Sequence, residues 1–390
     1  MLLDHFKIFL LLAAGLAHGS VLTYPHQPHH GHERAAYFLD NDAAGNELVS
    51  LKIDAVDGTL SSPVRTSTGG NGLAGLVAIS QDSVVVSGNY IFTVNAGSNT
   101  LSMFSVSPQD PLHPKLLGNP QPTLGETPVS VSYSSKLKTA CVANGGSPAG
   151  ITCFSASVKG LTPLGALRLL PQTQLADPSP PPPGPLVLTA DITFNPSSTA
   201  LLVSFRSNGA LPGSIYVFPV QNGEVGHTPV RSQLADIEGT FSLNFLAKGN
   251  SKKLGDERLI VTNAFVNHTG AALLEVAYPS LQVTQTTPIP LPGQQGTCWV
   301  AYDPRLSKSA YVMDAGQTQI NVVDPATGEL EKRISFTNGG QPPFLGSGSF
   351  DTRIDREWLY VLTGIVLFFP FVVLYILHLK SSWMEIVAEA

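Results

Sequence analysis

The chain has 390 residues, of which 36 are glycine and 31 are proline, and only 13% are charged, against about 25% in an average soluble protein. This composition favours short strands joined by turns over long helices. The formal net charge is −6 and the 22 basic residues are dispersed along the chain, so no basic stripe is available to bind a phosphate backbone. We therefore exclude nucleic-acid binding.

The N-terminal residues have the pattern of a secretory signal peptide. Lys7 precedes an apolar run from Ile8 to Leu16, and small residues suited to signal peptidase follow. We predict a signal peptide over 1–19 and a disordered, His-rich segment over 20–34. The protein is accordingly expected to be secreted or extracellular.

A strand-like pattern recurs seven times between residues 35 and 364. Its copies are about 50 to 60 residues apart, and each unit holds up to four short β-rich runs separated by turn residues. Units of this kind cannot bury both faces alone and stack around an axis. We predict an all-β protein with a seven-bladed β-propeller of four-stranded antiparallel blades over 35–364. The copies are YIFTVNAG (90–97), TACVANGG (139–146), ALLVSFRSNG (200–209), RLIVTNAF (258–265), SAYVMDAG (309–316), AAYFLDND (35–42) and WLYVLTG (358–364).

The two ends of the repeat array break the pattern. The first unit has no innermost strand before Ala35, and in closed propellers the other terminus usually provides it. After Gly364, however, an apolar segment over 365–379 replaces the alternation. We therefore predict that the seventh blade and the closure of the ring are incomplete.

Two interpretations of the segment 365–379 stay open. With its flanks it is long enough to cross a bilayer as one helix, which would anchor the propeller outside a membrane and leave 380–390 as an inner tail. Alternatively, Pro370 and the many β-branched residues indicate an altered strand region. The first interpretation makes the protein single-pass, and the second leaves it secreted.

The cysteines and one sequon fit the secretory route. Cys141 and Cys153 lie symmetrically about the centre of the loop between two predicted strands, which predicts a cross-strand disulfide; the alternative is two free thiols. Cys298 is expected to be a buried, inert thiol. Asn267 begins the sequon Asn-His-Thr in a predicted hairpin and is a candidate glycosylation site.

Polar residues are predicted to gather at one face of the propeller, around the channel mouth. The loops that enter the innermost strands would bring Glu126, Asp191 and Glu238 there, and the hairpins would add Asp314 and several Asn side chains. Converging carboxylates can act as acid and base or bind a ligand. Asn and Asp at strand ends also cap turns, which is the alternative for the hairpin residues. The hairpin residues are Asn41, Asp42, Asn95, Asn144, Asn208, Asn263 and Asp314.

Three strand runs are similar to a known family. SVVVSGNYIFTVNAGSNTLSMFSV, YSSKLKTACVANGG and FNPSSTALLVSF resemble secreted fungal proteins described as 3-carboxymuconate cyclase-like, within the lactonase-type seven-bladed propellers. The resemblance covers residues 35 to about 363. It implies a propeller that forms or opens a lactone on a small carboxylated substrate, without a nicotinamide or flavin cofactor. A secreted allergen of similar architecture implies instead a mouth that binds lipid.

The resemblance also implies where catalysis would occur. It implies His, Arg and Glu at the mouth of lactonising members. Arg206 and Glu238 have matching places here, whereas no His lies in a matching motif. We therefore take Glu238 and Arg206 as candidate catalytic residues, and Glu126, Asp191 and Asp314 as candidate ligand-binding residues. No metal site is predicted. Two function classes stay open: a lactonase-like or cycloisomerase-like enzyme, and a non-catalytic binding propeller for a small ligand or lipid.

Overall fold

A computed structural model describes residues 33–73, 80–146, 149–170, 188–207, 212–234, 236–246, 258–266, 269–335, 348–365, 371–378 and 386–389. Every regular element within these ranges is a β-strand. The strands form seven antiparallel sheets that follow one another along the chain as the blades of a β-propeller. The predicted all-β propeller is therefore confirmed.

The blades are numbered in chain order, and in blades 2 to 7 the first strand is innermost. Blade 1 comprises β1 (Arg34–Leu39), β2 (Glu47–Ile53) and β3 (Leu60–Ser67), and blade 2 comprises β4 (Val84–Ser87), β5 (Tyr90–Asn95), β6 (Thr100–Ser107), β7 (Asp110–Leu116) and β8 (Gln121–Pro122). Blade 3 comprises β9 (Pro128–Ser134), β10 (Thr139–Asn144), β11 (Gly150–Ser157), β12 (Gly160–Pro163) and β13 (Arg168–Leu169). Blade 4 comprises β14 (Thr189–Phe194), β15 (Ala200–Phe205), β16 (Ser214–Gln221), β17 (Glu224–Val225) and β18 (Val230–Gln233). Blade 5 comprises β19 (Thr240–Phe245), β20 (Arg258–Asn263), β21 (Ala271–Val276) and β22 (Val283–Ile289). Blade 6 comprises β23 (Thr297–Ala301), β24 (Ala310–Asp314), β25 (Gln319–Val323) and β26 (Leu330–Ser335). Blade 7 comprises β27 (Ser349–Asp355), β28 (Trp358–Ile365), β29 (Phe371–His378) and β30 (Ile386–Glu389).

Burial follows the position of each strand within its blade. Every residue of the second strands β10 and β15 is buried, because neighbouring blades cover both faces of the sheet. The outer strand β26 is mostly exposed, and only Leu330 and Ile334 are partly buried. Apolar clusters lie between successive blades all round the described ring, so the core is a set of blade junctions rather than one centre.

The innermost strands bind one another through side chains, because their inner edges lack a ladder partner. Ser130 Oγ accepts a hydrogen bond from Ile192 N–H at 3.1 Å, and Asp191 Oδ2 accepts one from Leu243 N–H at 2.7 Å. Ser242 Oγ donates to the Cys298 carbonyl at 2.6 Å. Backbone groups at these buried edges are thus satisfied by the preceding blade.

A short segment before β4, Ser80 to Asp82, crosses the centre of the ring; we call it the crossing segment. Gln81 N–H donates to the Ala190 carbonyl at 3.0 Å, and its side-chain oxygen lies 3.0 Å from Ser242 Oγ. The indole of Trp299 donates to the Ser80 carbonyl at 2.9 Å. The crossing segment therefore contacts blades 4, 5 and 6 although it belongs to blade 2.

Blade 1 has three strands among the described residues, and blade 7 has four. The prediction of an irregular ring closure is confirmed, but the strand deficit lies in blade 1 rather than in blade 7. The two blades meet through a small cluster of Ile53, Trp358 and Tyr360. The Tyr360 hydroxyl donates to the Gly58 carbonyl at 2.9 Å, and Arg34 pairs with Asp355. Side-chain packing, not a shared strand, joins the ends of the described ring.

The C-terminal apolar segment continues the seventh blade. Residues 371–378 form β29, which pairs with β28 over eight residues, and β30 pairs with β29 in turn. This part of the segment 365–379 is therefore strand, as the second interpretation expects. No helix within the described ranges is long and apolar enough to cross a membrane. The predicted signal peptide and all but the last two residues of 20–34 lie outside the described residues.

The predicted disulfide is present. Cys141 and Cys153 are directly opposed in the β10–β11 register, with their Cα atoms 4.0 Å apart, and their sulfurs are bonded. Cys298 is a buried free thiol, as predicted, and burial raises its pKa to about 12. Asn267 lies outside the described residues.

Candidate functional site

Two of the predicted carboxylates lie on the face where the innermost strands begin. Glu126 and Glu238 are both exposed, in the loops before β9 and β19. Their backbone carbonyls hold the loops in place: Gly146 N–H donates to Glu126 and Ser207 N–H donates to Glu238, both at 2.9 Å. The loop of Glu238 therefore abuts the residue after Arg206, but its carboxylate points to solvent.

Arg206 lies beneath this face rather than on it. It is only 6% exposed, and its guanidinium carbon stands 4.7 Å from the centre of the Phe241 ring. Burial lowers the pKa of Arg206 to about 10, because desolvation disfavours the charged form. The cation–π contact packs Arg206 between blades 4 and 5. Its predicted partner Glu238 is not brought into contact with it.

Asp314 caps a turn. Its carboxylate accepts hydrogen bonds from Gln295 N–H and Gly316 N–H, both at 2.8 Å, while burial raises its pKa. Asn263 does the same in blade 5, where its side-chain oxygen accepts from Gly239 N–H at 3.0 Å. These contacts are the turn-capping alternative that the sequence left open for the hairpin residues.

Asp191 differs from its predicted position. It lies within β14 and not in the loop that enters it, and it is fully buried. Its two oxygens bind Ser130 of blade 3 at 3.3 Å and Leu243 N–H of blade 5 at 2.7 Å. Burial first, and then the nearby carboxylate of Asp82, raise its pKa well above the usual range, although the two hydrogen bonds act in the opposite direction.

Three further charged residues meet near the centre of the ring. Arg353 of β27 pairs with Asp82 of the crossing segment, and its Nη1 lies 3.4 Å from Asp351 Oδ1. With Asp191 these residues form what we call the channel cluster. The side chains of Arg353, Asp351 and Asp82 are 46%, 34% and 26% exposed although protein surrounds them, so they border a solvent-accessible space inside the channel.

The charges of the channel cluster shift one another's pKa. Burial raises the pKa of Asp351, and the neighbouring Arg353 opposes this shift. Burial acts to lower the pKa of Arg353, but Asp351, Asp82 and Asp191 outweigh it and raise that pKa. Arg353 is therefore a permanent cation among three carboxyl groups. Within the described residues, no group of three or more His, Cys, Asp or Glu side chains is arranged to hold a metal ion.

Asp82 is the best-oriented carboxylate of the channel cluster. Its backbone has a φ of 60°, in the left-handed region that non-glycine residues rarely adopt. Its Oδ1 accepts from Arg353 and, at 3.3 Å, from Gln81 Nε2. Among the described residues, no contact involves Oδ2. One oxygen is thus fixed in place, and the other is left for a water or a ligand.

Sequence reasoning missed Asp82, Asp351 and Arg353. The signal that was available is the pair of charges in FDTRI, inside a strand otherwise expected to be buried. Charged residues are rarely placed there without a partner or a task. Asp82 carries no comparable signal, because its partner Arg353 is 271 residues away.

Comparisons with known proteins agree on the fold. The chain is similar to the periplasmic gluconolactonase of Pseudomonas aeruginosa, with a TM-score of 0.60, 12% identity and coverage of 91% of this chain and 95% of that one. It is also similar to a putative 6-phosphogluconolactonase from Bacteroides fragilis (TM-score 0.58, 14% identity, 92% and 95% covered) and to a functionally unknown protein from Desulfotomaculum acetoxidans (0.59, 12%, 87% and 91%). No family model and no curated protein matches the chain. At these identities the likeness concerns the propeller fold.

Proposed function

We propose that this protein opens small lactones in the channel, with Asp82 and Arg353 as the catalytic residues. The observation that carries the proposal is a guanidinium and an oriented carboxylate together in a solvent-accessible space at the centre of the ring. The gluconolactonase and the putative 6-phosphogluconolactonase among similar structures support a lactone as the substrate class.

Opening a lactone requires a base that takes a proton from water and a donor that stabilises the developing oxyanion. Oδ2 of Asp82 would take the proton while Oδ1 stays bonded to Arg353 and Gln81. The water oxygen bonds to the lactone carbonyl carbon, and the ring C–O bond then breaks. The proton passes to the departing ring oxygen, which gives a hydroxy acid. Arg353 would donate to the carbonyl oxygen as it gains charge.

The charge of the channel cluster favours a neutral substrate over an anionic one. Arg353 already pairs with Asp82 and lies near Asp351, so an added carboxylate meets like charges at close range. A lactone is neutral at its ring, whereas its hydroxy-acid product is an anion. The same carboxylates that tolerate the substrate would therefore promote release of the product.

A second placement of the same chemistry is at the mouth. There Glu238 would be the base and Arg206 would bind a substrate carboxylate, with Glu126 and Asp314 nearby as ligand-binding groups. The exposure of Glu238 supports access to solvent. The burial of Arg206 favours the channel instead, because a substrate at the mouth would have to displace its contact with Phe241.

A binding propeller without turnover is the second candidate function. Arg353 is already paired with Asp82, and Asp191 already joins blades 3 and 5. Such contacts also suit a purely structural cluster below a binding mouth for a lipid or other small ligand.

Hydrolysis of a lactone panel decides between the two functions. Purified protein is incubated with sugar lactones, simple five- and six-membered lactones and carboxymuconolactone, and proton release is followed by pH-stat. We expect turnover of at least one lactone, lowered at least 100-fold by Asp82→Asn and by Arg353→Lys. Asp303→Asn is the matched control, since Asp303 pairs with the exposed Arg305 far from the channel cluster. Turnover of no lactone, or equal turnover in all variants, overturns the proposal.

We also propose that the protein acts outside the cytoplasm. The signal-peptide pattern of 1–19 supports this, and so does the Cys141–Cys153 disulfide, because disulfides persist in oxidising compartments. Expression of the full chain in a secreting host tests it: we expect protein in the medium with its N-terminus after residue 19, and Asn267 glycosylated. Protein that stays inside the cell and keeps residues 1–19 contradicts this proposal.

A further inference from the structure

The proposed base, Asp82, stands on a main chain that is bonded to two other blades. Its own carbonyl accepts a hydrogen bond from Val131 N–H of β9 at 2.9 Å. Two residues earlier, Ser80 Oγ donates to the Val129 carbonyl at 2.6 Å, and the Ser80 carbonyl accepts from the indole of Trp299 at 2.9 Å. These contacts fix the backbone of the crossing segment, but they do not set the direction of the Asp82 side chain.

The ion pair with Arg353 is a weak means of setting that direction. The side chain of Arg353 is 46% exposed, and exposed ion pairs contribute little because solvent screens them and long side chains lose entropy. In the proposed reaction the guanidinium also has to donate to the lactone carbonyl oxygen. A second group that stays in place during the reaction is therefore needed to orient the carboxylate of Asp82.

The side-chain amide of Gln81 meets this need. Gln81 is only 3% exposed, and its Nε2 lies 3.3 Å from Asp82 Oδ1, the oxygen that also pairs with Arg353. An amide that faces a carboxylate has to present its nitrogen, because an ionised carboxylate only accepts hydrogen bonds. The amide oxygen, Oε1, then faces away from Asp82 and toward blade 5.

Blade 5 holds the other side of the amide. Oε1 of Gln81 lies 3.0 Å from Ser242 Oγ, whose single proton can be directed to the Cys298 carbonyl at 2.6 Å or to Gln81. Thr262 Oγ1 donates to the same carbonyl at 2.6 Å, so this carbonyl keeps a partner when Ser242 turns to Gln81. The bond from Gln81 N–H to the Ala190 carbonyl fixes the backbone of the same residue.

We propose that Gln81 is a positioning residue for lactone opening: its amide, held by Ser242, fixes Oδ1 of Asp82 and so keeps Oδ2 directed at the attacking water. The inference rests on the proposed function and deepens it. In this arrangement Gln81 acts through Asp82 and does not bind the lactone itself. Loss of the amide should therefore lower kcat and leave KM nearly unchanged, because Arg353 still binds the substrate.

Steady-state kinetics of Gln81→Leu and Gln294→Leu, with a lactone that wild type hydrolyses, test the inference. Gln294 is a matched control because it is also buried, 5% exposed, and its side chain bonds to the backbone of Gly296 and Phe265 outside the channel cluster. We expect kcat to fall 10- to 100-fold in Gln81→Leu, as for loss of a hydrogen bond to a charged group, with KM within three-fold of wild type. Gln294→Leu should keep kcat within two-fold. Equal kcat in the two variants overturns the inference.

Gln81→Glu keeps the shape of the side chain and provides the test if Gln81→Leu does not fold. A carboxyl group then replaces the amide beside Asp82, and like charge at this distance disfavours the ionised form of the pair. The other charged groups around Asp82 stay in place, namely Arg353, Asp351 and Asp191. The pH at which kcat is half-maximal should therefore rise by at least one unit relative to wild type. An unchanged pH profile overturns the inference.

A double-mutant cycle tests the link to blade 5. Ser242→Ala should lower kcat three- to ten-fold in the wild-type background and have no further effect in Gln81→Leu, since Ser242 acts on Asp82 through Gln81. Additive losses of kcat overturn this link. Failure of the proposed function gives a different result, because wild type then turns over no lactone and both proposals fall. Failure of the positioning role alone leaves an active wild type and Gln81 variants that match Gln294→Leu.

Discussion

The junction of blades 7 and 1 can be tested with one added methyl group. Gly58 lies in the β2–β3 turn with a φ of 74°, and a Cβ built on it would stand 2.5 to 2.8 Å from ring atoms of Trp358. Gly58→Ala therefore forces the indole, or the turn, to move. Because Trp358 is one of three buried residues at this junction, the movement should separate the two blades.

A matched glycine gives the magnitude. Gly223 lies in the equivalent β16–β17 turn with a φ of 83°, and nothing stands within 4 Å of its added Cβ. Gly223→Ala should cost only the left-handed backbone conformation, about 1 kcal/mol. Gly58→Ala adds overpacking of about 1–3 kcal/mol, which gives a total of about 2–4 kcal/mol.

Equilibrium urea unfolding measures both variants, with tryptophan fluorescence as the probe. We expect the free energy of unfolding to fall by about 1–3 kcal/mol more in Gly58→Ala than in Gly223→Ala. The reasoning is refuted if the two variants lose the same stability, because the side-chain junction would then contribute nothing to closure of the described ring.

Four other predictions concern the buried carboxylate, the mouth, the tail and the disulfide. The pKa of Asp191 is raised in the folded state, so its contribution to stability is full below the unfolded pKa and is lost as pH rises through the folded pKa. The stability of Asp191→Asn relative to wild type should therefore increase as pH rises from 4 to 8. A difference in stability that does not depend on pH would contradict this. Glu238→Ala should leave lactone turnover within two-fold of wild type; a complete loss with an intact fold would move catalysis to the mouth. Truncation after residue 364 removes β29 and β30 and should yield aggregated or protease-sensitive protein. The full chain should be extracted from membranes by a carbonate wash. Retention of the full chain in the membranes after that wash would support a membrane anchor. A non-reduced digest should contain a Cys141–Cys153 peptide pair, and alkylation of both thiols in native protein would exclude it.

Features with a local signature were predictable from the sequence. The recurrent second-strand pattern determines the number of blades, because each copy needs buried strand residues followed by a turn. The Cys141–Cys153 pair follows from symmetry about one hairpin loop, which places the two residues directly opposite each other. The turn-capping role of Asp314 also follows from its position at a strand end.

Features that depend on the closure of the ring were not predictable. The Arg353–Asp82 pair joins blade 7 to blade 2, and no periodicity links residues so far apart. Asp191 was assigned to the loop that enters an innermost strand, but it lies inside β14. Its bonds to Ser130 and Leu243 offset part of the cost of burying a carboxyl group there. The strand deficit was expected in blade 7, because the apolar composition of 365–379 conceals the strand β29.

The most direct test of the proposed site is a crystal structure of the protein with a lactam, which is isosteric with a lactone and resists hydrolysis. We predict density for the lactam in the channel, with its carbonyl oxygen within hydrogen-bonding distance of Arg353 and an ordered water on Asp82 Oδ2. A lactam bound only at the mouth beside Glu238, with the channel cluster unchanged, would contradict the proposal.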